Sequence, residues 1–290
     1  MIHLNKYIFL NGKIISETEG YISSKDRGFL YGDGIFETLR SYNGRPFKLT
    51  EHLERLHSSS EGLKIPLKYT IEELSKSVKE LLETNNIPDA YIRITLSRGT
   101  GNNGLAINGN SNPTLLIQAR PFKPYKRELY EKGMALIISK ARRSTSCPIS
   151  CHKTANLLTG ILLKEETKEK SANEAIVLNT DGHVAECIVS NIFIAYNKNV
   201  ITPSLGTNIL PGITRRTVLD ICKDSGIFAG EDRFRIETLM NADEVFLTNS
   251  LMEIMPVSKV EDKKIGKTIP GEITSQLMNA YEYLTALTNV

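Results

Sequence analysis

Four cysteines among 290 residues, at positions 147, 151, 187 and 222, are too few and too irregularly spaced for a disulfide framework. Cys147, Cys151 and His152 lie close together, but no second cysteine or histidine pair follows at a spacing that would close a tetrahedral zinc site, so no metal is expected. Long apolar runs are missing too. Stretches such as Met134 to Ile138 or Ile161 to Leu163 fall far short of the ~20 residues of a membrane-spanning helix, which excludes a membrane partner of that kind. Near the amino end the strand-like Tyr7-Ile8-Phe9-Leu10 is broken at once by Asn11-Gly12, unlike a secretory or transit signal, and a cytoplasmic address is expected. Excess charge is lacking: 36 Lys and Arg against 33 Asp and Glu leave a net +3. The one basic cluster, Lys123, Lys126 and Arg127, has little aromatic interleaving, so nucleic acid binding is not expected. Internal repeats and low-complexity tracts are absent.

Core material, by contrast, is ample. With 40% hydrophobic residues and a length beyond one ordinary core, the chain is expected to form two domains. Asn11-Gly12 between Ile8-Phe9-Leu10 and Lys13-Ile14-Ile15 predicts an opening β-hairpin, because both turn residues tolerate positive φ. Thr50 is expected to cap a helix with Leu49, Leu53 and Leu56 on one stripe. Thr70-x-x-Glu73 is a capping box for a second helix, with Leu74, Val78 and Leu81 inward and an end near Asn85-Asn86. Ala90 to Leu96 alternates as a half-buried strand that turns Arg93 away from the apolar face. The Gly- and Asn-rich run from Arg98 to Pro113 reads as a long loop, and Thr114 to Ala119 as the returning strand. Pro121-Phe122-Lys123-Pro124 suits neither a ladder nor a helix interior, which sets boundaries of 1–120 for an N-terminal α+β domain, 121–132 for a linker and 133–290 for a C-terminal domain. There, strands are expected at Met134 to Ile138, Ala175 to Leu178, Val184 to Val189, Asn191 to Ala195 and Val245 to Leu247. Helices are expected at Asn156 to Glu169, with Leu157, Leu158, Ile161 and Leu162 inward, at Ile213 to Lys223 and at Ile273 to Leu287. Strands and helices mixed in two blocks favour an α+β fold over a parallel doubly wound one.

Three features carry chemistry. Lys153 stands just ahead of a predicted helix, where a cation opposes the helix dipole; a solvated lysine is the plain alternative. Glu186 lies between Val184 and Ile188 on one strand face, where an unpaired carboxylate costs on the order of several kcal/mol and needs a partner. A slip of one residue would instead leave it an exposed acid on the other face. Gly212-Ile213-Thr214 opens a helix whose unsatisfied backbone N–H groups suit a phosphate, with Thr214 as a simple cap the competing reading.

In chain order, the run Asp26-Arg27-Gly28-Phe29-Leu30-Tyr31-Gly32-Asp33-Gly34-Ile35-Phe36-Glu37-Thr38, the run Ser150-Cys151-His152-Lys153-Thr154-Ala155-Asn156, Glu186 in its strand, and Leu210-Pro211-Gly212-Ile213-Thr214-Arg215 resemble the class IV aminotransferases, fold-type IV enzymes. The resemblance spans nearly the whole chain. It implies a fold like that of the D-amino acid aminotransferases, with a smaller N-terminal domain and a larger C-terminal mixed-sheet domain. It also implies pyridoxal 5'-phosphate as cofactor, a small-molecule substrate and a homodimer. Lys153 would bond the cofactor covalently and Glu186 would pair with its pyridine nitrogen. Ile213 and Thr214 would hold the phosphate together with Arg55, which is otherwise a solvated helix residue, and with the segment of Asn249 and Ser250.

Branched-chain members of the family usually show a glycine where this chain has Thr38, and a Gly-Thr-Ala-Ala stretch where it has Thr248-Asn249-Ser250-Leu251. D-amino acid members carry an Arg-x-His trap where it reads Asn103-Gly104-Leu105. Aminodeoxychorismate lyases, by contrast, resemble Ser97-Arg98-Gly99-Thr100-Gly101, Thr38, and Asn249-Ser250-Leu251-Met252 followed by Met255-Pro256-Val257. The resemblance thus implies a lyase releasing pyruvate and 4-aminobenzoate, with Lys153 moving the ring proton and Thr38 assisting departure of the side chain. Tyr31, Arg93 and Arg98 would meet the substrate. A transaminase acting on branched-chain or D-amino acids with 2-oxoglutarate is the alternative, in which Thr38 is an ordinary strand residue. A cofactor-free binding protein would show a replaced lysine or glutamate, and neither is replaced.

Overall fold

The computed structural model describes residues 6–101, 104–107, 109 and 111–287, which fall into two compact units. One gathers the residues through Lys123 with His152–Asn156, Ala286 and Leu287. Its opening hairpin joins β1 (Tyr7–Leu10) to β2 (Lys13–Ser16) through Asn11 and Gly12 at φ 49° and 93°, as that dipeptide predicts. There follow α1 (Arg27–Tyr31), β3 (Gly34–Tyr42), β4 (Arg45–Pro46), α2 (Leu49–Gly62), α3 (Ile71–Asn85), β5 (Ala90–Thr100) and β6 (Asn112–Pro121). The sheet order is β2-β1-β6-β5-β3-β4, antiparallel throughout. Leu53 and Leu56 of α2 and Leu74, Val78 and Leu81 of α3 close a core over Ile35, Leu39, Ile92, Ile94 and Ile117. By strand alternation the other face carries Phe36, Thr38, Tyr91, Arg93 and Thr95.

The capping box of α3 forms, with the Glu73 N–H donating to Thr70 Oγ1 at 3.2 Å and the Thr70 N–H to the Glu73 carboxylate at 2.8 Å. Other boundaries shift. α2 begins at Leu49 with Lys48 at the cap in a left-handed conformation, so Thr50 lies inside the first turn and caps nothing. β5 continues to Thr100 and pairs it with Asn112 across a bulge, so the two ends of the loop expected from Arg98 to Pro113, residues 98–100 and 112–113, are strand. Pro121 also joins β6, opposite Ala90. Pairing with β1 stops at Gln118, so the missing N–H deprives no ladder.

The second unit spans Pro124–Cys151 and Leu157–Thr285. It runs through α4 (Arg127–Lys132), β7 (Met134–Arg143), α5 (Leu158–Glu169), β8 (Glu174–Asn179), β9 (Val184–Cys187), β10 (Asn191–Tyr196), β11 (Asn199–Pro203) and α6 (Ile213–Asp224). The chain closes with β12 (Ala229–Asp232), α7 (Ile236–Met240), β13 (Glu244–Asn249), β14 (Glu253–Val260), β15 (Lys263–Lys264) and α8 (Glu272–Leu287). The sheet order is β12-β11-β10-β13-β14-β7-β8-β9, with β15 on β14. β7 runs parallel to both β14 and β8, and β11 parallel to β12, which makes this the mixed sheet of an α+β protein.

The expected orientation of α5 is overturned. Leu157, Leu158, Ile161 and Leu162 are 43, 70, 58 and 64% exposed rather than inward. The stripe that packs is Gly160, Leu163 and Thr167, whose small residues let the helix approach closely; a Cβ on Gly160 would lie 3.3 Å from Ile188 Cγ2. The helix also starts at Leu158, not Asn156, and the strand expected through Val189 ends at Cys187.

Candidate active site

In the first unit the short stretch around Lys153 is added to the start of β3. The Phe36 N–H donates to the Lys153 carbonyl and the Ala155 N–H to the Gly34 carbonyl, both at 2.9 Å, and Ile35 and Thr154 form a bridge. His152 on one side hydrogen-bonds Ser59 Oγ at 3.0 Å, and the Asn156 amide on the other donates to the Gly32 carbonyl at 3.4 Å. Lys153 Nζ lies 4.7 Å from the Phe36 ring centroid, and the Arg93 guanidinium carbon lies 3.8 Å from it. Both distances are in the cation–π range, so one ring is flanked by two cations. Thr38 sits two residues along the same strand face, directly opposite Arg93 in the sheet. Lys153, Arg93 and Thr38 are therefore neighbours around Phe36.

Beneath this face, strand alternation turns Glu37 inward, where it is 1% exposed. Its carboxylate accepts from Arg55 Nε at 2.8 Å and Nη2 at 2.6 Å, and lies 2.7 Å from His52 Nδ1. Burial alone would raise the Glu37 pKa, but the Arg55 charge and the hydrogen bonds outweigh it and hold the carboxyl at about 2. Burial pushes the His52 pKa down, toward the neutral ring. Arg55 is thus no solvated helix residue. Its side chain is 10% exposed and its fork is gripped from within the core.

Arg98 departs from its expected role toward a substrate carboxylate. Nε donates to Asp33 at 2.8 Å, Nη2 donates to the Leu63 carbonyl at 3.0 Å, Nη1 donates to the Lys64 carbonyl, and the residue is 5% exposed. Asp33 also takes Arg27 Nε at 2.8 Å, so Arg98 belongs to a buried knot that fixes the end of α1. Tyr31 closes α1 with an exposed ring, its hydroxyl accepting from the Gly104 N–H at 3.2 Å.

In the second unit Glu186 on β9 is buried, as the apolar strand face requires, and already has partners. Arg143 Nη1 donates to Oε1, and the Leu210 N–H donates to Oε2 at 3.0 Å. Arg143 also donates from Nε to the Asn208 carbonyl at 2.8 Å and from Nη2 to the Ser150 carbonyl at 2.6 Å, tying three segments to one guanidinium. Leu210 leads into α6, where Thr214 is buried in the first turn. A Cβ on Gly212 would fall 1.9 Å from Asn191 Oδ1, so any other residue there would have to displace the Asn191 amide, which donates to the Leu210 carbonyl at 3.0 Å. The Asn249 side chain is bonded within the chain: Oδ1 accepts from the Leu251 and Met252 N–H groups, both at 2.9 Å, and Nδ2 donates to the Val189 carbonyl at 3.2 Å. Ser250 stays half-buried at the turn after β13.

Sequence reasoning passed over Arg143, Asn191 and the Glu37–His52 pair. The last left a signal, an acid at an inward strand position and two bases three apart on the next helix. Arg143 left none, being brought to Glu186 only because β7 and β9 both pair with β8.

A lysine anchored beside β3, a buried carboxylate held by an arginine and a glycine-led helix start are the residue types that a pyridoxal phosphate enzyme needs. The family described as amino-transferase class IV matches residues 34–260. A Methanocaldococcus jannaschii protein provisionally named a branched-chain-amino-acid aminotransferase is 37% identical over 276 residues, 95% of each chain. The aminodeoxychorismate lyase of Bacillus subtilis is 36% identical, over 95% of this chain and 93% of that one. The crystal structure of the Escherichia coli branched-chain amino acid aminotransferase superposes with a TM-score of 0.93 at 28% identity, covering 97% of this chain and 95% of that one. The chain belongs to the class IV aminotransferases, and its fold is theirs.

Its cofactor is accordingly pyridoxal 5'-phosphate, and the residues fit that group. Gly212 leads into a helix whose first-turn N–H groups suit an oxyanion, and Glu186 is buried against the Arg143 guanidinium.

Proposed function

We propose that this enzyme is a 4-amino-4-deoxychorismate lyase, releasing pyruvate and 4-aminobenzoate. When bound, pyridoxal phosphate supplies an electrophilic aldehyde for the substrate amine and a ring that accepts electrons. Lys153 carries that group and then moves the substrate ring proton through Nζ. Glu186 offers its carboxylate to the pyridine nitrogen, with Arg143 and the Leu210 amide holding its orientation. Ile213 and Thr214 offer backbone N–H groups and a hydroxyl to the phosphate, with Ser250 and Arg55 as its further ligands. Arg93 takes a substrate carboxylate, and Tyr31 borders the substrate. The observation that carries the lyase reading is Thr38, on the strand face of Phe36 and opposite Arg93, whose hydroxyl would donate to a departing oxygen.

The second reading, an amino-acid transaminase working with 2-oxoglutarate, draws support from Arg98. Its commitment to Asp33 and two carbonyls leaves Arg93 to face carboxylates, enough for an amino acid but sparing for the two carboxylates of aminodeoxychorismate. Incubating the enzyme separately with 4-amino-4-deoxychorismate and with L- and D-amino acids plus 2-oxoglutarate decides between them. Formation of 4-aminobenzoate is the expected result; amino transfer without it would replace the lyase reading. Thr38→Ala should depress 4-aminobenzoate release far more than half-transamination, and equal losses would make Thr38 structural.

A homodimer completes the proposal. The outward Leu158, Ile161 and Leu162 of α5 form an apolar face that water covers poorly. A second copy is the occupant that the family suggests. Leu158→Glu with Leu162→Lys should shift the mass measured by light scattering from two chains to one, and a wild type of one-chain mass would dismiss it.

A further inference from the structure

We infer that Glu37 is a positioning residue, fixing Arg55 for the cofactor phosphate; the inference rests on the assignment of Arg55 to that phosphate. β3 turns Glu37 into the core between Ile35 and Leu39, which are 1% and 0% exposed, where an apolar side chain would pack without electrostatic penalty. The packing of α2 on β3 does not itself require a charge. α2 already packs on β3 through Leu49, Leu53 and Leu56 against Ile35 and Leu39. What the carboxylate achieves is to hold one cation still. It takes the Nε–Nη2 edge of Arg55 at 2.8 and 2.6 Å, setting the plane of the guanidinium as well as its place. His52 at 2.7 Å pins the carboxylate in turn. Arginine has much rotamer freedom to lose, and a side chain already fixed by folding does not lose it again when an anion arrives.

An opposing effect exists, because a carboxylate beside a cation weakens its pull on an anion. If charge alone mattered, removing Glu37 would tighten phosphate binding; if orientation dominates, binding weakens. The sign is measurable by equilibrium dialysis of the full-length holoenzyme, loaded with pyridoxal phosphate or with pyridoxal, reading bound cofactor from its visible absorbance. Glu37→Gln should weaken pyridoxal phosphate binding about tenfold and leave pyridoxal binding within about twofold. In an Arg55→Gln background the same change should add nothing, because its effect passes through Arg55. Unchanged or tighter pyridoxal phosphate binding in Glu37→Gln, or an equal loss for pyridoxal, overturns the inference. Should Glu37→Gln fail to fold, Glu37→Asp keeps the charge one methylene away from its partners. It should lose pyridoxal phosphate affinity selectively, and wild-type affinity there would overturn the inference equally. The two assignments fail separately. If Arg55→Gln keeps the preference for pyridoxal phosphate over pyridoxal, the phosphate role of Arg55 falls; if it abolishes that preference while Glu37→Gln retains it, only the role of Glu37 falls.

Discussion

Glu37 finds its partners 15 and 18 residues away, on the first helix after its own strand, whereas Glu186 takes Arg143 from 43 residues upstream and an amide from 24 residues downstream. Both are buried carboxylates held by an arginine. One is assembled from local chain, the other only when a mixed sheet has brought β7 beside β8 and β8 beside β9. The first unit can therefore build its charge pair as α2 folds onto β3, while the second must complete a long-range topology before its carboxylate is neutralised.

The largest expected effect asks whether either pair could sustain chemistry without the amine between His152 and Thr154. Lys153→Ala should cost several orders of magnitude in turnover and stop borohydride from fixing cofactor to the chain, with the thermal melt little changed. An adduct mapped by peptide mass to another lysine would break the assignment. Next, Glu186→Gln should lower turnover about 10²- to 10³-fold while the protein stays coloured, since one preorganised electrostatic partner is lost. Turnover at the wild-type level would show that Glu186 serves the fold alone.

Acid sharpens the contrast. The Glu37 carboxyl sits at about 2 in the folded protein against an ordinary 4.5, so the stability it contributes is complete above about pH 4.5 and disappears as pH falls toward 2. On the order of 3 kcal/mol is at stake. Urea midpoints taken at pH 5 and pH 3 should diverge more for the wild type than for Glu37→Gln, and parallel curves would contradict the strength of the local pair. The smallest effect belongs to the long-range pair. Arg143→Met should destabilise by about 2 kcal/mol, less than a fully buried pair, because the Arg143 side chain is 25% exposed. Adding Glu186→Gln should recover part of that loss, and a double variant no more stable than the single one would mean that Arg143 acts through its carbonyl contacts instead.

The same division between local and distant explains what the sequence disclosed. The Asn11-Gly12 hairpin and the Thr70 capping box depend on neighbours and were readable as written. Lys153, Glu186 and the start of α6 stood out as linear patterns, yet what surrounds each of them did not. Periodicity located α5 but could not say which stripe meets the sheet, and close packing favoured Gly160 and Thr167 over the leucines. Arg98 is expected at a substrate carboxylate because it stands in a run resembling the lyases and an arginine binds carboxylates in a bidentate way; its burial against Asp33 and two carbonyls follows from where α1 and α2 end, which no local pattern records. Thr50 is the right residue type for a cap, but the cap falls two residues earlier, at Lys48.

The hydrogen bonds between residues 34–36 and 153–155 also set an order in time. A ribosome adds about 5–20 residues per second, so the strand that will grip Lys153 is polymerised roughly 6–24 seconds before that lysine. Every strand of the six-stranded sheet lies before residue 122, and a nascent chain released anywhere between there and residue 152 would contain that whole sheet without Lys153.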